Sequence, residues 1–175
     1  MAFVSFEERR RRLLSEGVFN ATVDAMGGCK SLAARESARM VLVDGESTYL
    51  AAETVYQDVK SQGNVYRKSA SIRKAAKTLR DALEPGGVPE PVFLGGGQLM
   101  RPAVFDAIVG ASPSPANSVI VVAARAVLVD GLAVEAAAEA AYGEPRNIHQ
   151  VRKKVEKLRG LAVQIEAAFS EKNIK

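Results

Sequence analysis

Apolar and polar positions along this chain follow a helical period, and the periodic stretches are separated by short turn signals. Val18 to Ala25 makes a short apolar helix, and Ser31 or Ser37 can open the next, running through Arg39 to Val43. Asp44-Gly45 stops it, since glycine just past the last helical residue accepts a left-handed backbone. Ser47-Thr48 opens a helix through Tyr56, and Asn64 is placed to cap a basic helix ending near Leu83. The plan then recurs over Pro102 to Val109, Ser118 to Val129, Leu132 to Tyr142 and a basic helix from Pro145. Leu161, Ile165 and Phe169 stand at helical spacing and predict a final packing segment, while Phe6 to Glu16 is charged with helical character. The β-branched run Val119 to Val122 has strand character. Its counterpart, Leu32 to Val43, is rich in Ala, Arg and Glu, which decides for helix. The fold class predicted is all-α.

The recurrence is also one of residues. Val18-Phe19-Asn20-Ala21 returns as Val104-Phe105-Asp106-Ala107, and Ala38-Arg39-Met40-Val41-Leu42-Val43-Asp44-Gly45 returns as Ala124-Arg125-Ala126-Val127-Leu128-Val129-Asp130-Gly131, both at an 86-residue offset. Ala51-Ala52-Glu53 and Tyr56 keep that offset, whereas Ile72-Arg73-Lys74 meets Val151-Arg152-Lys153 at an offset of 79. On this register the first copy carries seven extra residues near Gln57 to Gly63. A period this long predicts two duplicated small units rather than a solenoid. The expected division is a first unit over residues 1–84, a linker over 85–102 and a second unit over 103–175. The linker concentrates Pro85, Pro89, Pro91 and Pro102 with Gly95-Gly96-Gly97, and no Gly-x-Gly-x-x-Gly or Gly-Lys-Ser/Thr pattern follows to make it a phosphate loop.

Composition narrows the function. The chain has 175 residues, an apolar fraction of 47% and no Trp, enough for a packed core although either half alone is marginal. A lone Cys29 excludes an internal disulfide framework, and with one histidine a His-based metal cluster lacks parts. No metal and no cofactor is expected. Arg9 to Arg12 is not followed by a long apolar stretch, and Arg125, Asp130, Glu135 and Glu139 break the most apolar region, so a cytoplasmic protein off the membrane is expected. The net charge of +4 is unevenly placed: Lys60 to Arg80 holds seven Lys/Arg and no acid, and Arg146 to Arg159 holds six against Glu156 alone. A neutral front and a basic back in each copy is the footprint of a phosphate-facing surface.

A helix-turn-helix needs a short first helix, a tight turn and a second helix whose outer face enters the major groove. Over Val134 to Lys153 that template puts Ala137, Ala138 and Ala141 inside, Gly143 in the turn, and Ile148 and Val151 as anchors, with Pro145 in the first turn. The outward residues are Arg146, Asn147, His149, Gln150, Lys153 and Lys154. Asn and Gln can bond adenine bidentately, Arg can bond guanine, and Lys meets phosphates. In the first copy the matching segment supplies Arg67, Lys68, Ser71, Arg73, Lys74 and Lys77, a set weighted toward phosphate contact, and Ser69 falls where an apolar anchor belongs.

The segment Ala124 to Gly131, the Ala-rich helix and glycine turn after it, and Gln150-Val151 leading to Ala167 through Asn173 resemble the TrfB/KorA-type plasmid repressors. The resemblance covers most of Pro102 to Asn173 and, more faintly, Val18 to Arg80. It implies operator DNA binding and repression of plasmid maintenance or transfer genes. Those repressors carry one such unit and dimerise through a separate region; the tandem copy here predicts a single-chain pseudo-dimer. The expectation is therefore two tandem helix-turn-helix repeats in a pseudo-symmetric helical bundle, acting as a transcriptional repressor on double-stranded DNA, with a homodimer of the chain left open. The alternatives are a plasmid segregation or architectural DNA-binding protein and a helical adaptor for a protein partner. No Ser/His/Asp or Cys/His constellation is present, so an enzyme is not expected.

Overall fold

The computed structural model describes residues 13–29, 31–84, 99–143 and 147–170. The described residues are all-helical, and the β-branched run at Val119 lies in a helix. In chain order the α-helices are α1 (Glu16–Ala25), α2 (Leu32–Arg39), α3 (Thr48–Tyr56), α4 (Gln62–Leu83), α5 (Pro102–Ala111), α6 (Val119–Leu128), α7 (Val134–Tyr142) and α8 (Ile148–Ser170).

Local chemistry sets most of these bounds. Ser15, Ser31 and Ser47 cap α1, α2 and α3, each hydroxyl accepting from a backbone N–H of the first turn. α2 runs on into a π-helical segment, Met40–Asp44, closed by Gly45 at φ 82°. Gly131, at φ 78°, follows α6 in the same way. Asn64 is not a cap: α4 begins at Gln62, and Asn64 sits in its first turn. The packing segment Leu161 to Phe169 is the continuation of α8, with Ile165 buried. Of the expected Phe6 to Glu16 helix, residues 13–15 are not helical and the earlier part lies outside the described residues, as do Pro145 and most of the linker.

The seven extra residues of the first copy do not exist in its turn. Gln57 to Ser61 joins α3 to α4, and Gly143 to Asn147 joins α7 to α8, five residues in each case. The offset of 86 therefore runs on through the long helices. Val65, Ser69, Ile72, Ala76 and Leu79 are the buried positions of α4, and Val151, Val155, Leu158, Ala162 and Ile165, each 86 residues later, are buried in α8. Seven residues are close to two turns at ~3.6 residues per turn, so a slip of seven along an amphipathic helix still lays apolar on apolar.

The main core does not divide along the chain. Phe19, Leu42, Ile72, Leu79, Ile108, Leu128, Leu158 and Ile165 belong to one buried cluster drawn from both halves. α1 packs chiefly on α8, and α5 packs chiefly on α4, so each half lends its opening helix to the other's long helix. A smaller cluster of Ala51, Ala52 and Val65, flanked by Met40, Val41 and Tyr56, holds α3 against α4.

The repeated Ala-Arg-x-Val-Leu-Val-Asp-Gly segment is a packing device. Arg39 bonds Glu16 at 3.3 Å and Asp44 at 2.9 Å, joining α2 to the start of α1 and to its own end. These acids hold the Arg39 guanidinium above its ordinary pKa, the hydrogen bond to Glu16 first among the causes. Arg125 bonds Asp106 at 2.6 Å and lies 5.5 Å from the centre of the Phe105 ring. The Leu14 N–H donates to the Leu42 carbonyl at 2.8 Å, and the Met100 N–H to the Leu128 carbonyl at 2.6 Å.

Candidate nucleic-acid interface

Most of the described basic residues of each half stand on its long helix, directly after a short helix and a tight turn. The buried faces of α3 and α7 are made of alanine, Ala51 and Ala52 in one and Ala137 and Ala138 in the other, which lets the following helix approach closely. Each turn opens with a left-handed residue, Gln57 at φ 52° and Gly143 at φ 70°. Val65 and Val151 then fix the first turns of α4 and α8. Side-chain bonds tie each pair across the turn: Gln62 donates to the Thr48 hydroxyl at 3.1 Å, and Arg152 pairs with Glu135 at 3.1 Å.

With one face of α4 buried, its polar residues sort into two exposed stripes. Asn64, Arg67, Ser71 and Lys74 recur at spacings of three and four and share the outward face. Arg67 donates to the Asn64 side-chain carbonyl at 2.8 Å and to the Gly63 carbonyl at 3.3 Å, so the two act as a preformed pair. The amide oxygen keeps a second lone pair, and the Nδ2 donors stay free for a base edge. Tyr66, Ala70, Arg73 and Lys77 form the second stripe, turned toward Val41 and Thr48. Lys77 is paired with Asp81. Lys68 is half-buried at the margin of the outward face.

On α8 the outward stripe is Gln150, Lys153 and Lys157, all exposed, with His149 exposed beside them. Two of the expected residues are placed differently. Asn147 is half-buried ahead of the first turn. Lys154 turns back, its Nζ 3.3 Å from the Ser114 hydroxyl in the segment between α5 and α6. Burial there lowers the Lys154 pKa, and Lys157 adds to the effect. Arg146 lies outside the described residues.

The 86-residue register pairs Asn64 with Gln150, Arg67 with Lys153 and Ser71 with Lys157. Asn64 and Lys157 were missed by sequence reading because the seven-residue slip matched Arg67 to Lys74 with the start of α8. The signal that finds them is the constant offset of Ala51-Ala52 and Tyr56, carried one turn further.

The two long helices meet at their C-terminal ends, where Arg80 lies 5.8 Å from the centre of the Phe169 ring. The outward stripes begin at the opposite ends, in the first turns of α4 and α8. Among the described residues, no helix is long and apolar enough to cross a membrane, and no group of three His, Cys, Asp or Glu side chains is placed to hold a metal ion. Comparison of the chain with protein-family models, curated proteins and solved structures finds no match.

Proposed function

We propose that this chain is a sequence-specific double-stranded DNA-binding protein of TrfB/KorA type, a plasmid-encoded transcriptional repressor of maintenance or transfer genes. It is built from two tandem helix-turn-helix repeats, α1–α4 and α5–α8, in a pseudo-symmetric bundle. One observation supports this most: an amide followed three residues later by a cation on the outward face of each long helix, Asn64-Arg67 and Gln150-Lys153, each after a short helix and a five-residue turn. The amides read adenine edges, and the cations meet guanine or phosphate.

α4 and α8 enter successive major grooves on one face of the duplex, with reading surfaces ~34 Å apart. Arg67, Lys68, Ser71, Lys74, Lys153 and Lys157 follow the phosphates, with Arg73 and Lys77 on the flank. His149 adds a hydrogen bond within the groove, and Lys154 acts by holding α8 on the segment before α6 rather than by reading a base. Bound to its operator, the protein blocks the promoter.

Selection from a genomic DNA library followed by footprinting at physiological salt tests the proposal. The expected result is one enriched site of two half-sites about one helical turn apart, occupied by one chain. Arrayed sites coated cooperatively would instead mark a segregation or architectural protein. No enriched sequence, with binding that vanishes on adding salt, would overturn DNA recognition and leave the adaptor reading.

A further inference from the structure

The second stripe of α4, together with Lys74 and the buried Ser69, lines a groove of about 490 Å³ whose apolar floor DNA reading does not account for. Val41 near the start of the π-helical segment and Thr48 at the start of α3 form one wall; Tyr66, Ser69, Ala70, Arg73, Lys74 and Lys77 form the other. Three features of the lining specify an occupant. First, it carries three cations and no carboxylate; Lys77 is engaged by Asp81, while the side chains of Arg73 and Lys74 have no protein partner among the described residues. Second, the surface between the cations is mostly apolar, from Val41, Ala70 and the Tyr66 ring, and Tyr66 is 66% exposed. Third, Ser69 is 4% exposed and its hydroxyl has no hydrogen-bond partner. A buried hydroxyl in that state is unfavourable unless something completes it.

The other half has no such groove-forming set. The residues 86 further on include Val155 for Ser69, Glu156 for Ala70 and Gly160 for Lys74, and Arg152, in the place of Tyr66, is closed onto Glu135. The lining of the groove is thus peculiar to α4 and is not repeated at the matching positions of α8. A duplex phosphate suits the rim but cannot fill an apolar floor, and a volume near 490 Å³ is that of a small-molecule site.

We propose that this groove binds a small aromatic carboxylate. Its ring lies against Tyr66, Val41 and Ala70, its carboxylate pairs with Arg73 and Lys74, and a polar ring substituent bonds the Ser69 hydroxyl. Resting on the DNA reading above, the ligand is an antagonist: it neutralises cations of α4 that the duplex would otherwise meet, and so releases the operator.

Titration of the full chain, without DNA, with salicylate and benzoate tests the binding step by amide NMR. The expected result is saturable shifts centred on Tyr66, Ser69 and Arg73, with a Kd of about 1 mM or tighter. Ser69→Val, which installs the residue that the other half carries at Val155, removes the preference for salicylate over benzoate. Arg73→Ala with Lys74→Ala weakens both ligands by about tenfold or more, the loss of charge-assisted contacts. Linear, unsaturated shifts up to about 10 mM overturn the proposal. So does cyclohexanecarboxylate or inorganic phosphate binding as tightly as benzoate, since either removes the aromatic body. Failure of this titration leaves operator selection untouched, and failure of operator selection leaves the titration standing.

Discussion

Gln57 and Gly143 hold the same backbone conformation at the same place in their turns, φ 52° and φ 70°. Glycine reaches that region freely, while a residue with a Cβ is strained there by ~1–2 kcal/mol. Gln57 meets the strain because its N–H bonds the Glu53 carbonyl at 3.0 Å, as the Gly143 N–H bonds the Glu139 carbonyl at 2.8 Å. Replacing Gln57 by Gly is expected to stabilise the protein by about 0.5–1 kcal/mol, less than the full strain because glycine loses more entropy on folding. Gly143→Ala is expected to destabilise by about 1 kcal/mol, although its Cβ would meet nothing within 4 Å. Urea unfolding of the two variants measures both signs; equal effects would mean that the two turns are unrelated.

Phe19 on α1 and Ile165 on α8 are both fully buried in the shared cluster. Phe19→Ala is expected to cost about 3–5 kcal/mol and Ile165→Ala about 2–5 kcal/mol. Each should lower the midpoint of one cooperative transition of the whole chain. A biphasic melt in either variant, with one half surviving, would refute the exchange of α1 and α5 between halves.

Asn64→Ala is expected to relax discrimination at one base pair of one half-site by about 1–3 kcal/mol, and Gln150→Ala to do the same in the other. Standing on different helices far from their contact, the two substitutions should add within about 0.5 kcal/mol. Arg67→Ala and Lys153→Ala should each also reduce the salt slope by about 1. Binding competition against singly substituted operators reads these effects; unchanged specificity in both amide variants would remove α4 and α8 as the reading helices.

Glu166 on α8 has a carboxylate oxygen that is buried and without a partner. Burial raises its pKa, and Arg101 only partly opposes the rise. A carboxyl whose folded pKa lies above its unfolded value binds the proton more tightly when folded. Stability therefore falls as pH rises from the ordinary carboxylate range, near 4.5, through the raised folded pKa. Glu166→Gln is expected to stabilise the protein at pH 7 by less than about 1 kcal/mol, given solvent screening, and to leave stability near pH 3 unchanged. Thermal melts across that range show whether the gain disappears on acidification.

Much of the local architecture was legible before any coordinates. Ser31, Ser47 and Gly45 announced helix ends by chemistry that acts within one turn, and the all-helical class followed from the repeat. Two things were not legible. The register within α4 was lost because seven residues nearly match two turns, so Ile72 and Val65 are equally good partners for Val151 on apolar pattern alone. The exchange of α1 and α5 was hidden because an amphipathic helix records that one face is buried and not what buries it. Lys154 illustrates the same gap at the site: its spacing allowed the outward face, and only Ser114, distant in sequence, draws it back.

The exchanged packing has a consequence for dosage. In a two-chain regulator whose subunits separate on dilution, the fraction of competent molecules falls with expression, and occupancy rises steeply with copy number. Here α1 and α8, and α5 and α4, are partners within one covalent chain. Their encounter is set by an effective concentration that the linker fixes and the cell cannot change. On the proposed reading, in which a single chain carries both reading helices, one molecule is a complete unit at the lowest abundance, and the expected response to gene dosage is graded rather than thresholded.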